Sequence, residues 1–248
     1  LKNGEFLPKI WRFSSFIMVL NPKRRRKVLF VTLGLIILAV ILALVAPEEK
    51  TLGGYIKLIY IHAAVTWVGM LMFVVSGVLA LAALVLTPFP RNISSKVDDT
   101  SIVDWSSAAQ RTAIDFWATS VIVGSIAAYF TWGSLFLRME PRIQVALFIL
   151  ILGFAISLLG EMFSAGAVRA ALNLALPVSG VLLLSSTGKL VHPNNAFSNS
   201  ESFEIKLFAG LIAFVFLIVA INSTVIFNSR FRERCSDARP MSGGRQVM

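Results

Sequence analysis

The chain has 248 residues, 56% of them hydrophobic and 15% charged, with a mean hydropathy of +0.78, whereas soluble domains are roughly 45–50% apolar and about 25% charged. This excludes a soluble globular domain and leaves an integral membrane protein. The formal net charge of +10 belongs to basic clusters beside apolar spans, which meet anionic lipid and set topology, so it is no argument for nucleic acid, and the single Cys235 excludes an intrachain disulfide.

Residues 1–27 are expected to be cytoplasmic. Phe6, Ile10, Phe13, Ile17 and Leu20 recur at helical spacing with Lys9 and Arg12 between them, the pattern of an interfacial amphipathic helix. A membrane-crossing helix needs about 20 apolar residues for about 30 Å of hydrocarbon. Six stretches are predicted to cross: Val28 to Pro47, Tyr55 to Leu86, Ala113 to Phe136, Ile143 to Gly160, Ala170 to Leu184 and Ile205 to Phe227. The first follows "PKRRRK" as a secretory signal would. It is expected to be retained, because Leu44 is too large for a small-residue cleavage site and Pro47 would follow any cut after Ala46. Asn173, Pro177 and Gly180 interrupt the fifth. The expected fold is an all-α, six-helix membrane domain over residues 28–227, with a disordered basic tail over 228–248.

Lys and Arg near span ends favour the cytoplasmic side. With the N-terminus inside, that side takes seventeen of them and the other side six, so both termini are predicted to be cytoplasmic. Asp98, Asp99 and Asp104 then fall in a solvated cytoplasmic loop, and Arg111, Asp115, Glu161 and Arg169 at cytoplasmic span ends. No Walker-type Gly-Lys-Ser run occurs, so nucleotide hydrolysis would need a separate subunit.

Polar chemistry gathers on the opposite face. His62 lies two helical turns, roughly 10 Å, inside the second span, and His192 lies in the loop "SSTGKLVHPNNAFSNSESFE", residues 185–204. Between them in sequence comes "TWGSLFLRMEPR", residues 131–142. Two neutral imidazoles can ligate haem iron from opposite sides without a covalent bond to the porphyrin. Phe130, Trp132 and Phe136 would support the macrocycle, and Arg138, Arg142 or Lys57 would meet its propionates. Against this stands the plain reading of each residue: an interfacial histidine, a solvent-exposed loop histidine, a membrane-belt tryptophan and arginines capping their spans.

The ordered fragments "IYIHAAVTW" (59–67), "VGSIAAYFTWGSLF" (123–136), "MEPR" (139–142), the Arg169, Asn173 and Pro177 helix, and "KLVHP" (189–193) resemble the CcmC-type cytochrome c assembly proteins over roughly residues 50 to 225. That family consists of six-span haem-handling membrane proteins with a tryptophan-rich external loop flanked by two histidines. The resemblance implies His62 and His192 as axial ligands to the haem iron, Trp132 and Gly133 as the start of the aromatic platform with Phe136 within it, and Glu140, Pro141 and Arg142 as its end. It also implies transient binding of b-type haem and no catalysed bond formation. The partners implied are a membrane-tethered haem chaperone, a second membrane subunit and a cytoplasmic ATPase, together an ABC-type haem exporter complex in a cytoplasmic or organellar inner membrane. The sequence departs from the family at Leu135, Phe136, Arg138 and Met139 and at Ser186 to Lys189, where the family has tryptophans, although Phe136 can still stack. Two alternatives remain: a permease subunit with polar pairs such as Arg111 with Asp115 or Glu161 with Arg169 lining its route, and a structural subunit of a respiratory or assembly complex that has lost haem binding.

Overall fold

The computed structural model describes residues 21–86, 99–135, 140–163, 165–188, 197 and 200–237. It consists of α1 (Pro22–Val45), α2 (Ile56–Leu86), α3 (Asp99–Trp132), α4 (Pro141–Met162), α5 (Gly166–Ser186) and α6 (Phe203–Asp237). All six are long and apolar enough to cross a membrane, and the described residues form no strand beyond one isolated bridge, Glu49 to Gly53. Over its described residues the protein is therefore an all-helical, multi-pass membrane protein. The amphipathic helix expected over residues 1–20 lies outside the described residues.

Local chemistry sets several ends. Pro22 opens α1, where its missing N–H costs nothing, and the Asn21 side chain accepts from the Lys23 amide at 2.9 Å,. Gly133, at φ 72°, stops α3 and donates its N–H to the Tyr129 carbonyl at 2.9 Å, a left-handed cap that suits glycine. Within α5, Pro177 has no N–H to offer the Asn173 carbonyl. It packs on Gly77 of α2, where a Cβ would come within 2.9 Å of Pro177 Cγ.

Helix α2 touches α1, α3, α5 and α6. Lipid tails are as apolar as leucine, so close approach and interhelical hydrogen bonds hold such a bundle. Small residues line the α2–α3 contact: Gly69 lies against Phe116, and Ser76 Oγ and Ser106 Oγ each donate to the other's backbone carbonyl at 3.0 Å.

The third helix differs most from its sequence reading. It starts at Asp99, not Ala113, and the segment between is helical although it carries Asp104, Arg111 and many hydroxyls. Several of its polar groups bond to neighbouring helices, whereas Gln110 Oε1 is buried with no hydrogen-bond partner among the described residues. Asp104 is 4% exposed and accepts from Arg169 Nη2 of α5 at 3.1 Å, so it is not part of a solvated loop. The same guanidinium reaches Ser107 Oγ, and Asn173 Nδ2 donates to Ser106 and Ser107 at 3.1 and 2.9 Å. Extending α3 also moves Arg111 and Asp115 away from a span end and into the middle of the helix. At the other end of the chain, α6 continues past Asn228 to Asp237.

Depth within the bundle follows from the two shortest helices. α4 and α5 have 22 and 21 residues, or about 32 Å at 1.5 Å per residue, close to the hydrocarbon thickness. Val103 lies against Gly166, the first residue of α5, and Trp117 Nε1 donates to the Ala146 carbonyl near the start of α4 at 2.9 Å. Residues 103–117 of α3 thus run through most of the membrane thickness, and α3 continues beyond the start of α4. Arg25 Nη1 meets both Glu233 carboxylate oxygens at 2.8 and 3.1 Å, which joins the beginning of α1 to the end of α6. The first and last helices therefore meet at one face, here the terminal face. The α1–α2 and α3–α4 loops lie at the distal face.

Candidate functional site at the distal face

His62 sits about two turns into α2 from the distal end, its ring lodged against α3. Its Nδ1 is 3.0 Å from the Ser120 carbonyl oxygen and 3.4 Å from Ser120 Oγ. A carbonyl only accepts, so Nδ1 carries a proton, and in the neutral ring the lone pair is on Nε2. A backbone carbonyl holding one ring nitrogen is the contact that commonly orients metal-binding histidines. Thr66 Oγ1 donates to the His62 carbonyl at 2.6 Å and lies 2.5 Å from Ser120 Oγ, which fixes the surrounding hydroxyls.

Gly124 makes the arrangement possible. A Cβ at this position would lie 2.6 Å from His62 Cε1 and 2.8 Å from Nδ1, so any side chain would push the ring away from α3. Thr66, Ser120 and Gly124 are functional candidates that residue-by-residue reading missed. The signal available was the spacing of Ser120 and Gly124, four apart on one face of an apolar helix.

Further out is an aromatic rim. Tyr55 stacks on Phe130 with centroids 5.5 Å apart, and Tyr129 meets Phe130 edge-on at 5.6 Å. Trp132 is 45% exposed. It lies eight residues beyond Gly124, about 12 Å along the helix axis, so Trp132 and Gly133 form a separate layer above His62. Glu140 is fully buried at the N-cap of α4. Arg142 is half-buried, and its Nε has no hydrogen-bond partner among the described residues. Both precede Ala146, which bonds to Trp117, by one to two turns, which places them at the level of residues 121–124 and hence of His62. Lys57 pairs with Glu48 at 3.6 Å. Phe136, Arg138, Lys189 and His192 lie outside the described residues. Phe197, further along the same loop as His192, stacks on Tyr60 at 4.9 Å and meets Trp67 edge-on at 6.2 Å, on a side of α2 about 150° from His62.

The rim also contains one tightly turned anion. The Glu49 carboxylate accepts from the Leu52 and Thr51 amides at 2.9 and 2.8 Å and from Thr51 Oγ1 at 3.2 Å. These donors, the Leu52 amide foremost, hold its pKa below the usual glutamate range,.

Among the described residues no three His, Cys, Asp or Glu side chains converge as a metal cage. One oriented imidazole beneath an aromatic rim suits a metal that arrives with its own equatorial ligands, as porphyrin iron does. No protein-family model matches the chain, and comparison with curated proteins finds no match.

Proposed function

We propose that the chain handles haem at its distal face, receiving it transiently and passing it to a membrane-tethered chaperone for cytochrome c maturation, in the manner of the CcmC-type proteins its sequence resembles. The observation that carries this reading is the His62 ring, with Nδ1 tied to the Ser120 carbonyl and seated on Gly124. Those contacts orient Nε2 as an axial ligand, with His192 proposed as the second. The aromatic rim supports a flat apolar cargo, and Arg142 supplies a cation for a propionate at the depth of the imidazole. In this reading the distal face is the outer face of a cytoplasmic or organellar inner membrane, and the chain works with a second membrane subunit and an ATPase without catalysing bond formation itself.

The permease alternative needs a polar route between helices. The buried groups around Asp104, Arg169 and Asn173 bond to one another, which supports a packed structural knot instead.

The test is an absorption spectrum of detergent-purified protein, as isolated and after haem addition, beside His62→Ala and His192→Ala. The reading expects a Soret band in the wild type that shifts or is lost in both variants. A wild type that takes up no haem, or a band unchanged in His62→Ala at equal expression, overturns it.

A further inference from the structure

His62 and Thr66 lie four residues apart on one face of α2, and Ser120 and Gly124 lie four apart on the face of α3 that meets it,. The hydrogen bonds across this contact have a fixed direction. Thr66 has one hydroxyl hydrogen, and it goes to the His62 carbonyl at 2.6 Å, which can only accept,. The 2.5 Å contact between Thr66 Oγ1 and Ser120 Oγ is then donated by Ser120. The rest of α3 agrees. Thr112, Thr119, Ser125 and Thr131 each donate to the carbonyl four residues back in the helix, a common outlet for helical hydroxyls, whereas Ser120 makes no such bond and bonds across the contact instead. With its hydrogen turned to Thr66, Ser120 Oγ has only lone pairs to offer His62 Nδ1, 3.4 Å away.

We propose that Thr66 is a positioning residue that fixes the tautomer of His62 and thereby makes the site prefer a metal-bearing porphyrin to a metal-free one. By accepting the Ser120 hydrogen, Thr66 keeps it from the imidazole, so the ring proton stays on Nδ1 and the lone pair on Nε2. Without Thr66 the Ser120 hydrogen is released, and Nδ1 becomes an acceptor within its reach. Donation there favours the other tautomer, which carries a hydrogen on Nε2 where a metal needs a lone pair. The cargo preference rests on the haem reading, and the tautomer does not.

The test begins without cargo. The chain has two histidines, so the full-length His192→Gln protein, labelled with nitrogen-15 histidine in phosphatidylcholine–phosphatidylglycerol bilayers, contains a single imidazole. Its two nitrogen resonances report which of them carries the proton of the neutral ring. The proposal expects one tautomer, protonated at Nδ1. Thr66→Val, which keeps the shape and removes the hydroxyl, should bring up the form protonated at Nε2, and Thr66→Ser should restore the original spectrum. Zinc protoporphyrin needs one axial imidazole, so the same His192→Gln chain can bind it. Its affinity, read by porphyrin fluorescence, should fall about tenfold in Thr66→Val and recover in Thr66→Ser, while metal-free protoporphyrin binds more weakly and equally to all three. A proton on Nε2 before Thr66 is changed, or an unchanged spectrum in Thr66→Val, overturns the role of Thr66. Equal affinity for the two porphyrins overturns the cargo preference. Uptake of neither overturns the haem reading and that preference with it, and the nitrogen spectra still decide what Thr66 does.

Discussion

An imidazole between two membrane helices is governed by its neighbours as much as by its own chemistry. Because a Cβ at residue 124 would overlap His62, Gly124→Ala should displace the ring from the Ser120 carbonyl and weaken haem binding by roughly 10–100-fold, the usual effect of losing a ligand's supporting contact. Haem titration of the purified variant checks this. Gly160→Ala, where nothing lies within 4 Å, should leave affinity unchanged. At the rim, the depressed pKa of Glu49 means the folded turn favours the carboxylate. Its contribution is present above about pH 4 and is lost as pH falls through the lower folded value. Amide exchange at Thr51 and Leu52, corrected for its intrinsic pH dependence, should therefore accelerate on acidification, and Glu49→Gln should flatten the response. His62 was legible because a titratable residue within an apolar run stands out. Ser120 and Gly124 were not, because a serine and a glycine in a membrane helix have no distinguishing composition.

At the scale of elements, α3 carries the main lesson. Its first half reads as a solvated loop because hydropathy counts Asp104 and its neighbouring serines as exposed, whereas α2 and α5 surround them. Arg169 and Asp104 have only 17% and 5% of their side chains exposed. Removing one partner strands the other charge, so Arg169→Met should destabilise the protein by about 3–5 kcal/mol. Arg169→Met with Asp104→Asn should recover much of that loss. Thermal unfolding in detergent of both single variants and the double measures the coupling, and additive effects would show that the pair is not coupled. The fifth span, interrupted by Asn173, Pro177 and Gly180, forms a helix over Gly166–Ser186 because each interruption has a seat. Asn173 bonds to α3, and Pro177 fills the space left by Gly77.

For the whole molecule, six crossings and the Arg25 to Glu233 contact bring the first and last helices together at one face. The charge distribution, with Lys23 to Lys27 on the terminal face, predicts that this face is cytoplasmic,. In right-side-out vesicles of a Cys235→Ser background, an impermeant maleimide should label Thr51→Cys and spare Lys23→Cys. The reverse pattern would place the histidine face inside and remove delivery to an outer chaperone.

The six crossings could be read from the sequence because a membrane span is a local property, set by the apolarity of about 20 consecutive residues. His62 was legible as a candidate for the same reason. Helix ends were less so, since a cap or a polar first turn depends on which groups meet it from other helices. Only the tertiary structure brought Ser120 and Gly124 to His62, tied Thr66 to Ser120, and joined Asp104 to Arg169. These are relations between residues far apart in the chain, and interhelical packing, not hydropathy, decides them.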